Sequence, residues 1–212
     1  MSNGNYQETH ERILKSGLAA FLEEGFEKAN LRRICKAAGV TTGAFYKHFE
    51  DKEALFTELV EPLASMIREA YAQGEERGFA GYDEGRPVTP EQVRFALETK
   101  AEGTLATTTM LYSHRDIYEL LVFRSYGTPY EHFLDWLVDE EDRTTLRALE
   151  LIHGAERAQT VISKESLHIV NHAFYIALSE NIVHAKNVEE LQATTEVIST
   201  FFNSGWEKYR TP

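Results

Sequence analysis

Between residues 8 and 24, apolar side chains return every three or four positions: Ile13, Leu14, Gly17, Leu18, Phe21 and Leu22 share one stripe. That period predicts an amphipathic helix, with Thr9 and Arg12 as a weak cap at its start and Gly25 as the residue that ends it. Shorter patterns follow. Asn30 is placed to cap a helix over 31–38 that turns Leu31, Ile34 and Ala38 inward. Gly39 permits the left-handed backbone of a sharp turn. Thr41 is placed to cap a helix over 42–48, in which Phe45 and Phe49, four apart, face inward and leave Thr42, Gly43, Tyr46 and Lys47 outward. Asp51 then caps a long helix from Lys52 to about Arg77.

Gly78 to Pro87 is Gly-rich and reads as a loop. Thr89-Pro90-Glu91-Gln92 predicts the start of a helix that runs to Tyr112, weakened by Gly103 and by the threonines at 104 and 107–109. A shorter helix is expected over 115–124. Gly127-Thr128-Pro129 repeats the cap-then-Pro signal and predicts a helix over 129–157 containing the acidic run Asp139 to Asp142. After a break at 158–164, helices are expected at 165–185 and 189–209, the second with Asn187 and Glu190 spaced as a capping box. No stretch alternates as a strand does. The chain reads as all-α with about nine helices: an N-terminal helix-turn-helix three-helix domain in 1–52 and a larger helical domain in 53–212.

The composition is that of a globular chain of 212 residues, 42% hydrophobic and 26% charged. The N-terminal dozen residues carry no apolar core of a signal peptide, and no apolar run is long enough to span a membrane, so a cytoplasmic protein without membrane contact is expected. The single Cys35 excludes an intrachain disulfide and reads as a small buried residue. No nucleophile–base pair and no Gly-rich phosphate loop is present, so no enzyme is read and no cofactor is called for. His168 and His172 lie four apart with Glu165 nearby, but no third ligand can be named and no metal site is assigned.

A net charge of −12 conflicts with nucleic-acid binding until its distribution is considered. Residues 28–52 hold 6 basic and 2 acidic side chains, a local net of +4. Local field decides whether a face can approach phosphates, and the acidic remainder then orients that approach. Thr42, Gly43 and Ala44 are small enough for close entry into a major groove. Tyr46 and His48 can donate to phosphates, Lys47 can reach phosphate or base, and Arg32 can pair with a guanine. Lys52 stands in the first turn of its helix, where the macrodipole disfavours a cation, which hints at an external anion.

The stretch from Arg12 to Phe56 resembles the TetR/AcrR family of bacterial transcriptional regulators. The matching residues are Ile13, Ala19-Ala20-Phe21, Gly25-Phe26, Ile34, Ala38-Gly39-Val40-Thr41, Gly43-Ala44-Phe45-Tyr46, His48-Phe49, Lys52-Glu53 and Leu55. Asn30-Leu31 departs from the Thr-Ser/Thr pair common before the first motif helix, and Cys35 replaces a common Ala. The family's DNA-contact positions carry over to Arg32, Thr42, Gly43, Tyr46, Lys47, His48 and Lys52.

The resemblance implies a homodimer that holds two recognition helices on a palindromic double-stranded operator, and a repressor released by an unknown small-molecule effector through the tilt of helix 52–77. For the dimer interface, the last two helices supply Leu167, Val170, Phe174, Leu178, Val197, Phe201, Phe202 and Trp206. For the ligand pocket, soft and aromatic residues gather at Phe95, Met110, Tyr112, Tyr118, Phe123, Tyr126, Tyr130, Phe133 and Trp136, residues that also make ordinary cores. The competing readings are a helical adaptor that kept the fold and lost DNA binding, and a metal-dependent sensor or enzyme.

Overall fold

A computed structural model of the chain describes residues 3–79 and 87–210. The order is α1 Asn3–Lys28, α2 Leu31–Ala37, α3 Thr42–Phe45, α4 Lys52–Phe79, α5 Pro90–Tyr112, α6 Arg115–Phe123, α7 Phe133–His153, α8 Ala155–Val161, α9 Lys164–His184 and α10 Val188–Arg210. No strand occurs among the described residues. The fold is all-α, a helix-turn-helix segment followed by a larger set of helices. The middle of the loop expected over Gly78–Pro87 lies outside the described residues.

Side-chain caps explain most of the helix starts. Asn30 Oδ1 accepts from the amide of Arg32 at 2.9 Å, and Thr41 Oγ1 accepts from that of Ala44 at 3.1 Å. Asp51 Oδ1 accepts from Ala54 at 2.7 Å, and Thr89 with Gln92 forms a reciprocal capping box. Thr9 departs from expectation. Helix α1 begins six residues before it, and its hydroxyl donates to the carbonyl of Asn5 at 2.8 Å, so it sits inside the helix and caps nothing.

Two other differences have local causes. The helix expected from 129 starts at Phe133, because the preceding residues close a tight turn. The Thr128 hydroxyl donates to the Ser125 carbonyl at 2.6 Å and accepts from the Tyr130 amide at 3.1 Å. At its far end α7 stops at Gly154, whose φ of +82° breaks it, and α8 occupies part of the expected gap, giving ten helices among the described residues.

Packing divides the chain into two compact units: residues 1–67 with 116–133, and residues 68–115 with 134–212. The line expected at 52/53 does not coincide with this division. Segment 116–133 joins the first unit because Gly25, at φ +75°, kinks α1 and frees the amide of Phe26, which donates to the carbonyl of Arg124 at 2.9 Å. The Tyr130 hydroxyl adds a 2.6 Å bond to Glu61.

Within the first unit, Ile13, Phe21, Phe45, Leu55 and Phe56 are fully enclosed. Gly17 lets α1 approach α4 closely: a Cβ there lies 2.7 Å from Leu55 Cδ2. Around His48, Tyr6 stacks on the imidazole at 4.1 Å, and His10 stacks on Phe49 at 4.7 Å while its Nε2 meets Glu58 at 2.6 Å. His48 Nδ1 is enclosed without a hydrogen-bond partner among the described residues. Burial, followed by the neighbouring His10 and Lys47, pushes the His48 pKa below its ordinary 6.5.

Gly17→Val forces a branched side chain against Leu55, and the expected loss is about 1–3 kcal/mol in a denaturant titration; an unchanged midpoint refutes the close approach. The depressed His48 pKa gives a second expectation. The folded form resists the proton that the unfolded form accepts, so the contribution is whole above pH 6.5 and drains away as pH falls toward the lowered value. Comparing melting temperatures at pH 7.5 and 5.5 for wild type and His48→Gln should show a smaller acid loss in the variant.

Candidate nucleic-acid interface

Helix α3 spans four residues, and the turn 46–48 extends its path through bonds from the amide of Lys47 to the Ala44 carbonyl (3.2 Å) and of His48 to that of Phe45 (2.8 Å). The seven-residue helix expected there is thus one α turn with a tightened end. Its inward side is Phe45, at 0% exposure, and Phe49, at 4%. Its outward side presents Gly43, Tyr46 and Lys47, with Tyr46 56% exposed. A Cβ on Gly43 meets nothing within 4 Å, so this spot is open on the protein side. Thr42 is half-buried, and Cys35 on α2 carries a buried thiol. Burial pushes that thiol above its ordinary range, as suits an inert core cysteine.

Charge on this face differs from the tally along the sequence. Arg33 is ion-paired with Glu24 and lies 3.7 Å from Glu23. Lys52, expected to meet an external anion, turns inward instead. Its Nζ donates to the carbonyls of Phe26 (2.6 Å), Ala29 (3.1 Å) and Glu27 (3.2 Å), and it sits 4.3 Å from the centre of the Phe26 ring. Those carbonyls are the unpaired acceptors at the kinked end of α1, so the hinted anion is the helix terminus. Burial lowers the Lys52 pKa, with Glu27 opposing. The remaining cations of the stretch, Lys28, Arg32, Lys36 and Lys47, are exposed.

The residues expected to line a ligand pocket are divided between the two units. Tyr118, Phe123, Tyr126, Tyr130 and Phe133 belong to the first; Phe95, Met110, Tyr112 and Trp136 belong to the second. Phe95 and Tyr126, at 70% and 69% exposure, face solvent, and Tyr118 at 2%, Phe133 at 4% and Tyr130 at 7% are core. Of the residues expected at a dimer interface, Leu167 and Trp206 form one buried cluster with Val88, Val93 and Leu97, against which Val170 and Phe202 pack. Phe174 and Leu178 are also buried. The reason is the two-sided apolarity of α9 and α10: one side of each fills the unit's own core. Val197, at 69% exposure, and Phe201, at 75%, stand outward, as does Ile169 at 67%.

Sequence reading missed a buried polar network in the second unit. Glu141 is ion-paired with Lys100 and accepts from the hydroxyls of Thr145 (3.1 Å) and Tyr175 (3.2 Å); the Tyr175 hydroxyl in turn meets that of Tyr71. Burial acts to raise the Glu141 pKa, but Lys100 and Arg210 outweigh it and hold the carboxyl below its usual range. Glu141 sits inside the acidic run, yet Val138 and Thr145 flank it at helical spacing, which was the available signal.

Residues 13–59 match the family model of the bacterial regulatory proteins, tetR family. The HTH-type transcriptional regulator AcrR of Shigella flexneri is 48% identical over 63 residues, covering 30% of this chain and 29% of that protein. A probable acrEF/envCD operon repressor of Escherichia coli (strain K12) is 39% identical over 71 residues, 32% of each. The matched stretch thus spans about three tenths of these curated relatives' length. The crystal structure of NalD, the secondary repressor of the MexAB-OprM multidrug efflux pump in Pseudomonas aeruginosa, superposes on 96% of this chain and 98% of its own with a TM-score of 0.52 at 19% identity, which shows a shared fold. Residues 13–59 thus carry the N-terminal domain of the tetR family, and the chain as a whole shares the fold of NalD.

Proposed function

We propose that this protein is a ligand-responsive, DNA-binding transcriptional regulator, a repressor that leaves a palindromic operator when a small-molecule effector binds. The observation that carries the reading is the outward face of α3 and its turn. Gly43, Tyr46 and Lys47 are exposed over a fully buried Phe45, and Arg32 at the start of α2 is exposed as well. This is a small polar surface on a rigid anchor, as entry into a groove requires. Thr42 offers the N-terminal end of α3, and the half-buried His48 would reach a phosphate through Nε2. Lys52 acts from within, by fixing the end of α1.

One such helix reads too few base pairs for specificity, so two copies of the chain are required. Val197 and Phe201 on α10, with Ile169 on α9, are large apolar side chains left in solvent, and they support a homodimer through this face. Helix α4 contributes residues to both compact units, which supports a role as carrier of coupling between effector and DNA. That coupling needs an effector with different affinities for the two states. No helix among the described residues is long and apolar enough to cross a membrane.

Tyr46→Ala and Lys47→Ala are expected to weaken binding to the operator upstream of the protein's own gene without lowering the melting temperature. Lys47→Ala should also reduce the salt slope by about 1. Lys52→Met, in contrast, should lower stability by about 1–3 kcal/mol and leave that slope unchanged. Equal DNA affinity in wild type, Tyr46→Ala and Lys47→Ala rules out the docking face. For the dimer, Val197→Ser with Phe201→Ser is expected to shift the protein to monomer in sedimentation equilibrium, while Leu167→Ala acts on stability instead; a double variant that stays dimeric sinks the assignment.

A further inference from the structure

A second constellation lies in the second unit, on helices α7 and α9. Asp139 and Asp142 stand three residues apart on α7, and His168 faces them from α9. One donor atom from each lies within 4.8 Å of the other two. His168 Nδ1 is 2.8 Å from Asp142 Oδ2. The other oxygen, Asp142 Oδ1, accepts from Asn171 Nδ2 at 2.7 Å, and Asn171 is 1% exposed. A buried amide therefore fixes the orientation of the half-buried Asp142 carboxylate. The sequence pair His168 and His172 resolves differently: their rings lie 6.2 Å apart and tilted by 38°, and neither His172 nor Glu165 belongs to the converging set.

We propose that Asp139, Asp142 and His168 form a binding site for a divalent transition ion of the zinc class, with the fourth position open to water. The donor set carries the choice of ion. One imidazole nitrogen beside two carboxylates suits a borderline ion such as zinc, whereas magnesium and calcium take oxygen donors. Ligand distances of about 2.0–2.2 Å in a tetrahedron put donor atoms on the order of 3.4 Å apart, a separation that lies between the 2.8 Å His168–Asp142 contact and the 4.8 Å span of the set. Asn171 is the outer partner that holds a ligating carboxylate in place. Binding of the ion replaces the 2.8 Å contact between His168 Nδ1 and Asp142 Oδ2. Its structural effect is to clamp α7 to α9 inside one unit.

The test uses full-length protein without a histidine tag, stripped by a chelator, then titrated with zinc by calorimetry and with cobalt by visible absorption. One ion per chain is expected, with the intense visible bands of low-coordinate cobalt. Asp139→Asn and His168→Ala should each weaken binding by at least about tenfold while the metal-free melting temperature stays near that of wild type. Asp139→Asn is the cleaner variant, since Asp139 is exposed. His184→Ala removes a different exposed histidine, paired with Glu180 at 3.1 Å, and should bind zinc as wild type does. Absence of saturable one-to-one binding overturns the proposal, as do wild-type affinities in both Asp139→Asn and His168→Ala.

Discussion

A helix of four residues cannot hold itself together, and the candidate DNA-reading surface is built on one. Helix nucleation in water is unfavourable and is recovered only over several turns. Helix α3 has a single turn, so its existence rests on what lies beneath it: the fully buried Phe45, Phe49 stacked against His10, and the Thr41 cap. Both phenylalanines are spent inward, while the Tyr46 ring stays 56% exposed. What remains for the outer side is therefore glycine, hydroxyls and a lysine, so the same constraint that anchors the helix sets the chemistry it presents.

The electrostatic picture follows from geometry more than from composition. A stretch with 6 basic and 2 acidic residues looks like a phosphate-binding surface. Two of those six cations work elsewhere. Arg33 is engaged by Glu24, and Lys52 closes the end of α1 through three carbonyls. A cation in the first turn of a helix needs a negative partner, and for Lys52 the carbonyl end of a neighbouring helix is one. On a chain of net charge −12, losing two of six local cations raises the weight carried by each of the other four.

What could be read from the sequence was local. Asn30, Thr41, Asp51 and Thr89 cap the helices expected of them, because a cap depends on neighbours two or three residues away. The inward placement of Phe45 and Phe49 follows from helical spacing alone. What could not be read needed a partner from far along the chain. Thr128-Pro129 satisfies the start signal for a helix, but the Thr128 side chain bonds backward to Ser125 and makes a turn instead. The last two helices are apolar on more than one side, and nothing in their sequence tells which side is filled by Val93, Leu97 and their neighbours. The outward Val197 and Phe201 become distinguishable only once that core is known. The acidic run divides in the same way: the helical period sends Glu141 inward toward Lys100 while Asp139 stays at the surface.

The two polar groupings on α7 show how differently carboxylates one or two positions apart can be used. Removing Glu141 from water is costly, and a buried ion pair returns that cost only when its other lone pairs are satisfied. Here Thr145 and Tyr175 satisfy them. An apolar replacement of similar volume often serves stability as well, so stability alone does not account for the pair. Its distinctive property is that it has a large stake in which groups surround it. A molecule that replaces one of these partners changes the energy of the whole network, whereas one that touches only surface carboxylates changes little, because water already screens them. If the protein responds to an effector, the sensitivity resides where a partner exchange is expensive. That condition is met at Lys100, Glu141, Tyr175 and Tyr71, on four different helices, one of which is α4.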